Sequence, residues 1–264
     1  MTIEAVGQNH CPTKMKIKLP KRQNHVDNSL ILHKTGNSLI VLVLSLCPVY
    51  TIATVKAEQT ERPLPGIVRV LNGNSRGSGV IVGKSSKNEF LVLTSDHTLN
   101  NPRSVICVGD HRAYYESIVL RRGINDSDLA LLYIANPSWS KIPAIKISHH
   151  KTFIGEKIVS AGFNASGMYK RQAGDIAMIL KPKLMGGYDL GITSDIEKGM
   201  SGGPTLNMKN EIIGINSMHS DPLWDADLIL QNGKVLDEVT SHKIARLSMA
   251  IDVTGLTVKL TGKE

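Results

Sequence analysis

Three short stretches of this 264-residue chain carry residue types that together could do nucleophilic chemistry. Val92-Leu93-Thr94-Ser95-Asp96-His97 is an apolar run ending in a histidine. Asp128 opens a second apolar run, Leu129-Ala130-Leu131-Leu132, and Ser201 stands in Lys198-Gly199-Met200-Ser201-Gly202-Gly203-Pro204. A serine hydroxyl is a weak nucleophile at neutral pH and needs an adjacent base. His97 is the candidate base, taking the Ser201 proton and returning it to the leaving group. Asp128 is the candidate that holds the imidazole tautomer and stabilises the imidazolium. Charge developing on an attacked carbonyl oxygen needs fixed donors, for which the backbone N–H groups of Gly199 and Ser201 are the candidates. Gly199 suits a backbone shape that a side chain opposes. Asp126, two residues before Asp128, is the competing acid; Asp96 is not, because neighbouring residues of a strand point to opposite faces.

These residues need elements to hold them. From Gly66 onward the sequence shows short β-type runs between Gly, Asn, Asp and Pro: Ile67–Leu71, Gly79–Val82, Phe90–Thr94, Leu129–Ile134, Ile158–Ala161, Ile176–Leu180, Glu211–Ile215 and Leu247–Ile251. Such a series predicts an all-β sandwich or barrel. Only Val235–Leu247 offers a helical period. Asn136–Ile147, with Pro137 and Pro143, reads as a crossing between two halves, and two small β-barrels fit the length.

With GMSGGP following an Asp-Leu-Ala-Leu-Leu motif, the chain resembles the trypsin-like (chymotrypsin-fold) serine peptidases of bacterial type. It is similar to the HtrA protease domain and to trypsin-like peptidases of cyanobacteria. The resemblance runs from about Gly66 onward, including Gly77–Val82 and Gly155–Phe163. The order His, Asp, Ser and spacings of 31 and 73 residues suit its short-looped members. It implies two six-stranded antiparallel Greek-key barrels with the active site between them, 58–147 carrying His97 and Asp128 and 148–264 carrying Ser201. It places the acid directly before Leu-Ala-Leu-Leu, hence Asp128, with Asp126 left as a turn residue. It implies serine endopeptidase activity on polypeptide substrates, with no cofactor. Asp195, six residues before Ser201, falls at the base of the specificity pocket, although one residue of slip would put Ser194 or Ile196 there. Gly214-Ile215-Asn216-Ser217 resembles the strand that pairs with the peptide backbone, which brings Ser217 and His219 to the substrate cleft. One departure is Met200, where trypsin has the aspartate that receives a new N-terminus after zymogen cleavage. The runner-up reading is a catalytically silent pseudo-protease acting as a secreted binding module. An α/β-hydrolase esterase is disfavoured by the residue order and by the lack of a Gly-x-Ser-x-Gly elbow.

The formal charge of +8 raises the question of a polyanionic partner. The first 57 residues hold seven Lys/Arg and two acids, leaving only +3 for the rest, so nucleic-acid binding is not expected. Basic residues, the uncharged run between Lys34 and Lys56 and its apolar heart Leu39–Cys47 read 1–57 as a secretory leader. Cleavage is expected after Ala57, with Ala53 as second candidate, giving a secreted or periplasmic protein. The alternative is a retained membrane anchor, which Gly36, Asn37, Ser38 and Pro48 argue against. Cys11 and Cys47 would leave with the leader, so Cys107 is expected alone as a small buried strand residue. His149-His150 reads as a solvated pair, His111 and His219 lack ligand-spaced partners, and no metal is expected.

Overall fold

The computed structural model describes residues 11, 32–35, 38–41, 54–55, 62–85, 87–109, 113–135, 141–220 and 227–258. The chain divides into two units, one made of 16–61 and the other of 1–15 with 62–264. In the smaller unit β1 (Leu32–Thr35), β2 (Ser38–Val41) and β3 (Thr54–Val55) form an antiparallel sheet in that order. Most of the proposed leader, including Ala53 and Ala57, lies outside the described residues, as do His111 and 136–140 of the crossing segment.

The larger unit contains two closed six-stranded antiparallel barrels. The first comprises β4 (Ile67–Asn72), β5 (Ser75–Lys84), β6 (Glu89–Ser95), β7 (Ile106–Gly109), β8 (Tyr114–Arg122) and β9 (Leu129–Ala135). They close in the order β4-β5-β6-β9-β8-β7. The second comprises β10 (Lys157–Phe163), β11 (Tyr169–Ile179), β12 (Leu190–Ile192), β13 (Pro204–Asn207), β14 (Ile212–Met218) and β15 (Ser248–Asp252). They close as β10-β11-β12-β15-β14-β13. Closure leaves no unpaired strand edge in either barrel. The expected helix is the short α1 (Glu238–Ile244), capped by Asp237, whose carboxylate accepts from the Thr240 N–H at 2.9 Å.

Every β-type run expected from the sequence lies within or overlaps one of these strands. Of the strands absent from that list, β8 shows why: residues 115–122 carry Glu116, Ser117, Arg121 and Arg122, with a register shift between Val119 and Arg121. Its pairing with β7 and β9 sustains it, not its own hydrophobicity.

Strand β6 is buried on both faces, and its alternation explains the packing. Phe90 and Val92 join the interior of the first barrel, whereas Leu93 joins a cluster with Val80, Phe163, Leu206 and Ile215 that fills the seam between barrels. Ser78, fully buried, sits on that seam. Its N–H donates to the Ser201 carbonyl at 2.7 Å, and its hydroxyl donates to the Gly199 carbonyl and accepts from the Phe163 N–H, both at 2.8 Å.

Cys107 departs from expectation. It lies on β7 and is buried, but it is disulfide-bonded to Cys11 across 96 residues, with Cα atoms 5.5 Å apart. The reading of Cys107 as a lone thiol is therefore corrected. In the chain-entropy picture a loop of this length stabilises the fold by about 4–5 kcal/mol. A chain beginning at Glu58 could keep that bond only with the excised segment still attached.

In oxidised full-length protein, alkylation under denaturing, non-reducing conditions should modify Cys47 alone, and all three cysteines after reduction. Labelling of Cys11 and Cys107 without reductant would show that the bond does not form. Ser78→Ala strands the buried Phe163 N–H, so it should cost ~1–3 kcal/mol, read as a lower urea midpoint at unchanged slope.

Candidate active site

His97 lies on the 3-10 turn Asp96–Leu99 that follows β6, one step beyond the strand expected to carry it. Its side chain is 42% exposed, whereas that of Asp128 is 9% exposed. His97 Nδ1 stands 2.5 Å from Asp128 Oδ2, and the His97 N–H donates to Oδ1 at 2.7 Å. One carboxylate therefore grips both the ring and the backbone of the histidine, which fixes the ring's angle. Two hydroxyls of the second barrel also donate to Oδ2, Ser217 at 2.7 Å and Tyr188 at 3.1 Å. Asp126 is exposed on the turn Ile124–Asp126, and Asp96 pairs instead with Arg122 at 2.5 Å.

Burial pushes the Asp128 carboxyl up, but the hydrogen bond and charge of His97 and the Ser217 hydroxyl outweigh it. The group is held below its ordinary value. Burial and the adjacent carboxylate push the Tyr188 phenol far up, so it stays a donor.

Ser201 ends a tight loop shaped by glycine. Gly199 has φ +95°, and a Cβ there would run into the backbone of Asn164 and Ala165. At Gly202, φ is +86°, and a Cβ would collide with the Ser78 carbonyl. The Met200 N–H is used by the Glu197 carbonyl at 3.0 Å and that of Gly202 by Asn216 at 2.8 Å. Among the described residues the N–H groups of Gly199 and Ser201 have no protein acceptor. Met200 itself is fully buried among Ile158, Ile192 and Ile213, so packing occupies the place of a charge pair. The Ser201 hydroxyl donates to the Ser217 carbonyl at 3.0 Å, and none of its hydrogen bonds among the described residues reaches His97. Catalytic hydrogen bonds commonly tighten only with substrate bound, and rotation about Cα–Cβ redirects this hydroxyl.

A cleft of about 530 Å³ brings His97, Gly199, Ser201, Ser217 and His219 together. Asp195 is not among its lining residues: it is exposed, and its neighbour Ile196, 2% exposed, lines the cleft instead. Ser194 is buried against Ser160, their hydroxyls 2.7 Å apart. Asp195, expected at the pocket base, thus lies outside the lining of the cleft, whereas Ile196, the one-residue slip that the sequence allowed, is part of it. Tyr188, Arg76 and Lys198 also line the cleft. Tyr188 carried no signal in the sequence, because its partner Asp128 is 60 residues away. Among the described residues no three His, Cys, Asp or Glu side chains are grouped to hold a metal.

A depressed carboxyl pKa contributes stability that is present above the unfolded value near 3.9 and lost as pH falls through the folded one. Below about pH 4, wild type should therefore lose stability more steeply than Asp128→Asn. Parallel melting curves over pH 7 to pH 2 for both proteins check this; equal slopes would contradict the assigned shift.

The family model for the trypsin-like peptidase domain matches residues 77–215. The chain is 34% identical over 148 residues to the periplasmic pH-dependent serine endoprotease DegQ of Escherichia coli, covering 53% of this chain and 30% of that protein. It is 29% identical over 184 residues to human serine protease HTRA4, covering 61% of this chain and 36% of that one. The chain thus spans about a third of the length of these relatives. The serine endoprotease from Yersinia pestis shares the fold at a TM-score of 0.51 and 23% identity, over 71% of this chain and 58% of that one. With the two closed barrels and a family model that covers more than half of its length, the chain belongs to the trypsin-like peptidase domain family.

Proposed function

We propose that this chain is a serine endopeptidase that hydrolyses peptide bonds of polypeptides through an acyl-enzyme on Ser201. The observation that carries the reading is the His97–Asp128 pair, 2.5 Å apart, at the cleft that also holds Ser201 and two unused backbone N–H groups. In this mechanism Ser201 Oγ attacks the carbonyl carbon while its proton passes to His97 Nε2. The oxygen's new charge is met by the N–H groups of Gly199 and Ser201. Collapse breaks the C–N bond, and His97 returns the proton to the departing amine. Water then repeats the sequence on the ester and frees Ser201. Asp128 stays ionised throughout, holding Nδ1–H toward itself and offsetting the imidazolium charge.

Support comes from relatives named as serine endoproteases. DegQ is named as periplasmic, which supports an exported location for this chain.

Treatment with a fluorophosphonate should label wild type covalently and leave Ser201→Ala unlabelled, with both melting alike. Asp128→Asn should lower turnover by about four orders of magnitude, as the wrong imidazole tautomer does in this chemistry. Asp126→Asn should behave as wild type. An unlabelled wild type would favour the silent binding module, and an inactive Asp126→Asn beside an active Asp128→Asn would move the acid.

A further inference from the structure

Asp128 sits at the edge of the first barrel, yet two of its four side-chain donors come from the second. Oδ1 takes the backbone N–H of His97, while Oδ2 faces the His97 ring and the hydroxyls of Ser217 and Tyr188. Ser217 follows from the strand β14 that lines the cleft. Tyr188 belongs to a separate loop between β11 and β12, and that loop is built against the acid. The Asp128 N–H donates to the Gly186 carbonyl at 2.7 Å. Gly187, φ +80°, lies so close to Ser127 that a Cβ would overlap its side chain. The far side of the loop is anchored by Leu184, 2% exposed and packed with Ile244 and Met249, and by the Met185 N–H on the Ile229 carbonyl at 2.8 Å. The phenol is thus held in place from both sides.

We propose, resting on the peptidase reading above, that Tyr188 is a positioning residue whose hydroxyl holds Asp128 Oδ2 in register with His97 Nδ1. A carboxylate has about four lone-pair directions and turns easily about its Cβ–Cγ bond. With one oxygen tied to the His97 backbone and the other shared between two hydroxyls and the ring, only one rotation satisfies every donor. The loss of Tyr188 leaves Ser217 alone to resist that turn from the second barrel. The acid is therefore completed only when the 184–188 loop of one barrel docks on the other. Because burial and the carboxylate keep the phenol protonated, it donates across the working pH range.

Tyr188→Phe removes the hydroxyl and keeps the ring, so the fold should melt at the wild-type temperature. The expected result is a drop in kcat of about tenfold, with KM within about twofold and a parallel fall in the fluorophosphonate labelling rate. In an Asp128→Asn background the same substitution should change the labelling rate by less than about twofold, since the hydroxyl acts through the carboxylate. Wild-type kcat in Tyr188→Phe would overturn the proposal. So would a rise in KM at constant kcat, which would make Tyr188 a substrate contact, or an undiminished loss in the Asp128→Asn background. Failure of the peptidase reading is distinct, since it shows as wild type that takes no label at all.

Discussion

The candidate site of this chain is divided between two barrels, and its geometry depends on the hydrogen bonds that hold their seam. Ser78 is the junction: a first-barrel residue, it holds the carbonyls of Gly199 and Ser201 and satisfies the Phe163 N–H. The Phe163 N–H is buried, so it would cost about 1–3 kcal/mol unpaired. That penalty, together with the apolar cluster around Leu93, Phe163 and Ile215, sets the Ser201 loop against the His97 turn. The glycines of the loop follow from the same closeness. Gly202 lies where any side chain would strike Ser78 or Thr94.

Across the same seam a second exchange runs in the opposite direction. The second barrel supplies hydroxyls to Asp128, and the first supplies the carboxylate that orders His97. A carboxylate with a side chain only 9% exposed is costly to ionise by itself. The hydrogen bonds and charge of His97 and the Ser217 hydroxyl reverse that balance and keep it charged. The arrangement couples acid geometry to barrel docking, so that a change in the 184–188 loop reaches the imidazole without touching it.

The seam also accounts for what local sequence conveyed and what it hid. The motifs around His97, Asp128 and Ser201 were legible because each pairs a reactive residue with a local constraint: a turn after an apolar strand, an acid before another, a glycine-flanked loop. Strands such as β6 and β9 were legible from their apolar runs. Strand β8 was not, since its stability lies in its neighbours' hydrogen bonds. Asp195 illustrates the limit from the other side, because spacing alone assigns a position and not the direction in which a side chain points. The loop exposes Asp195 and buries Ile196.

Residue type and order by themselves determined the all-β class, singled out His97, Asp128 and Ser201 as the candidate set, and marked the glycines around Ser201. Those features rest on chemistry that each residue carries wherever it stands and on short-range patterning. Tertiary structure alone decided the partners of Asp128 at Tyr188 and Ser217, the occupancy of the cleft by Ile196, and the union of Cys107 with Cys11. Each joins or sorts groups by their position in space, and the bonded pairs lie 60, 89 and 96 residues apart in the chain. No local pattern encodes such a pairing; it exists only once barrel closure and docking have fixed the distances.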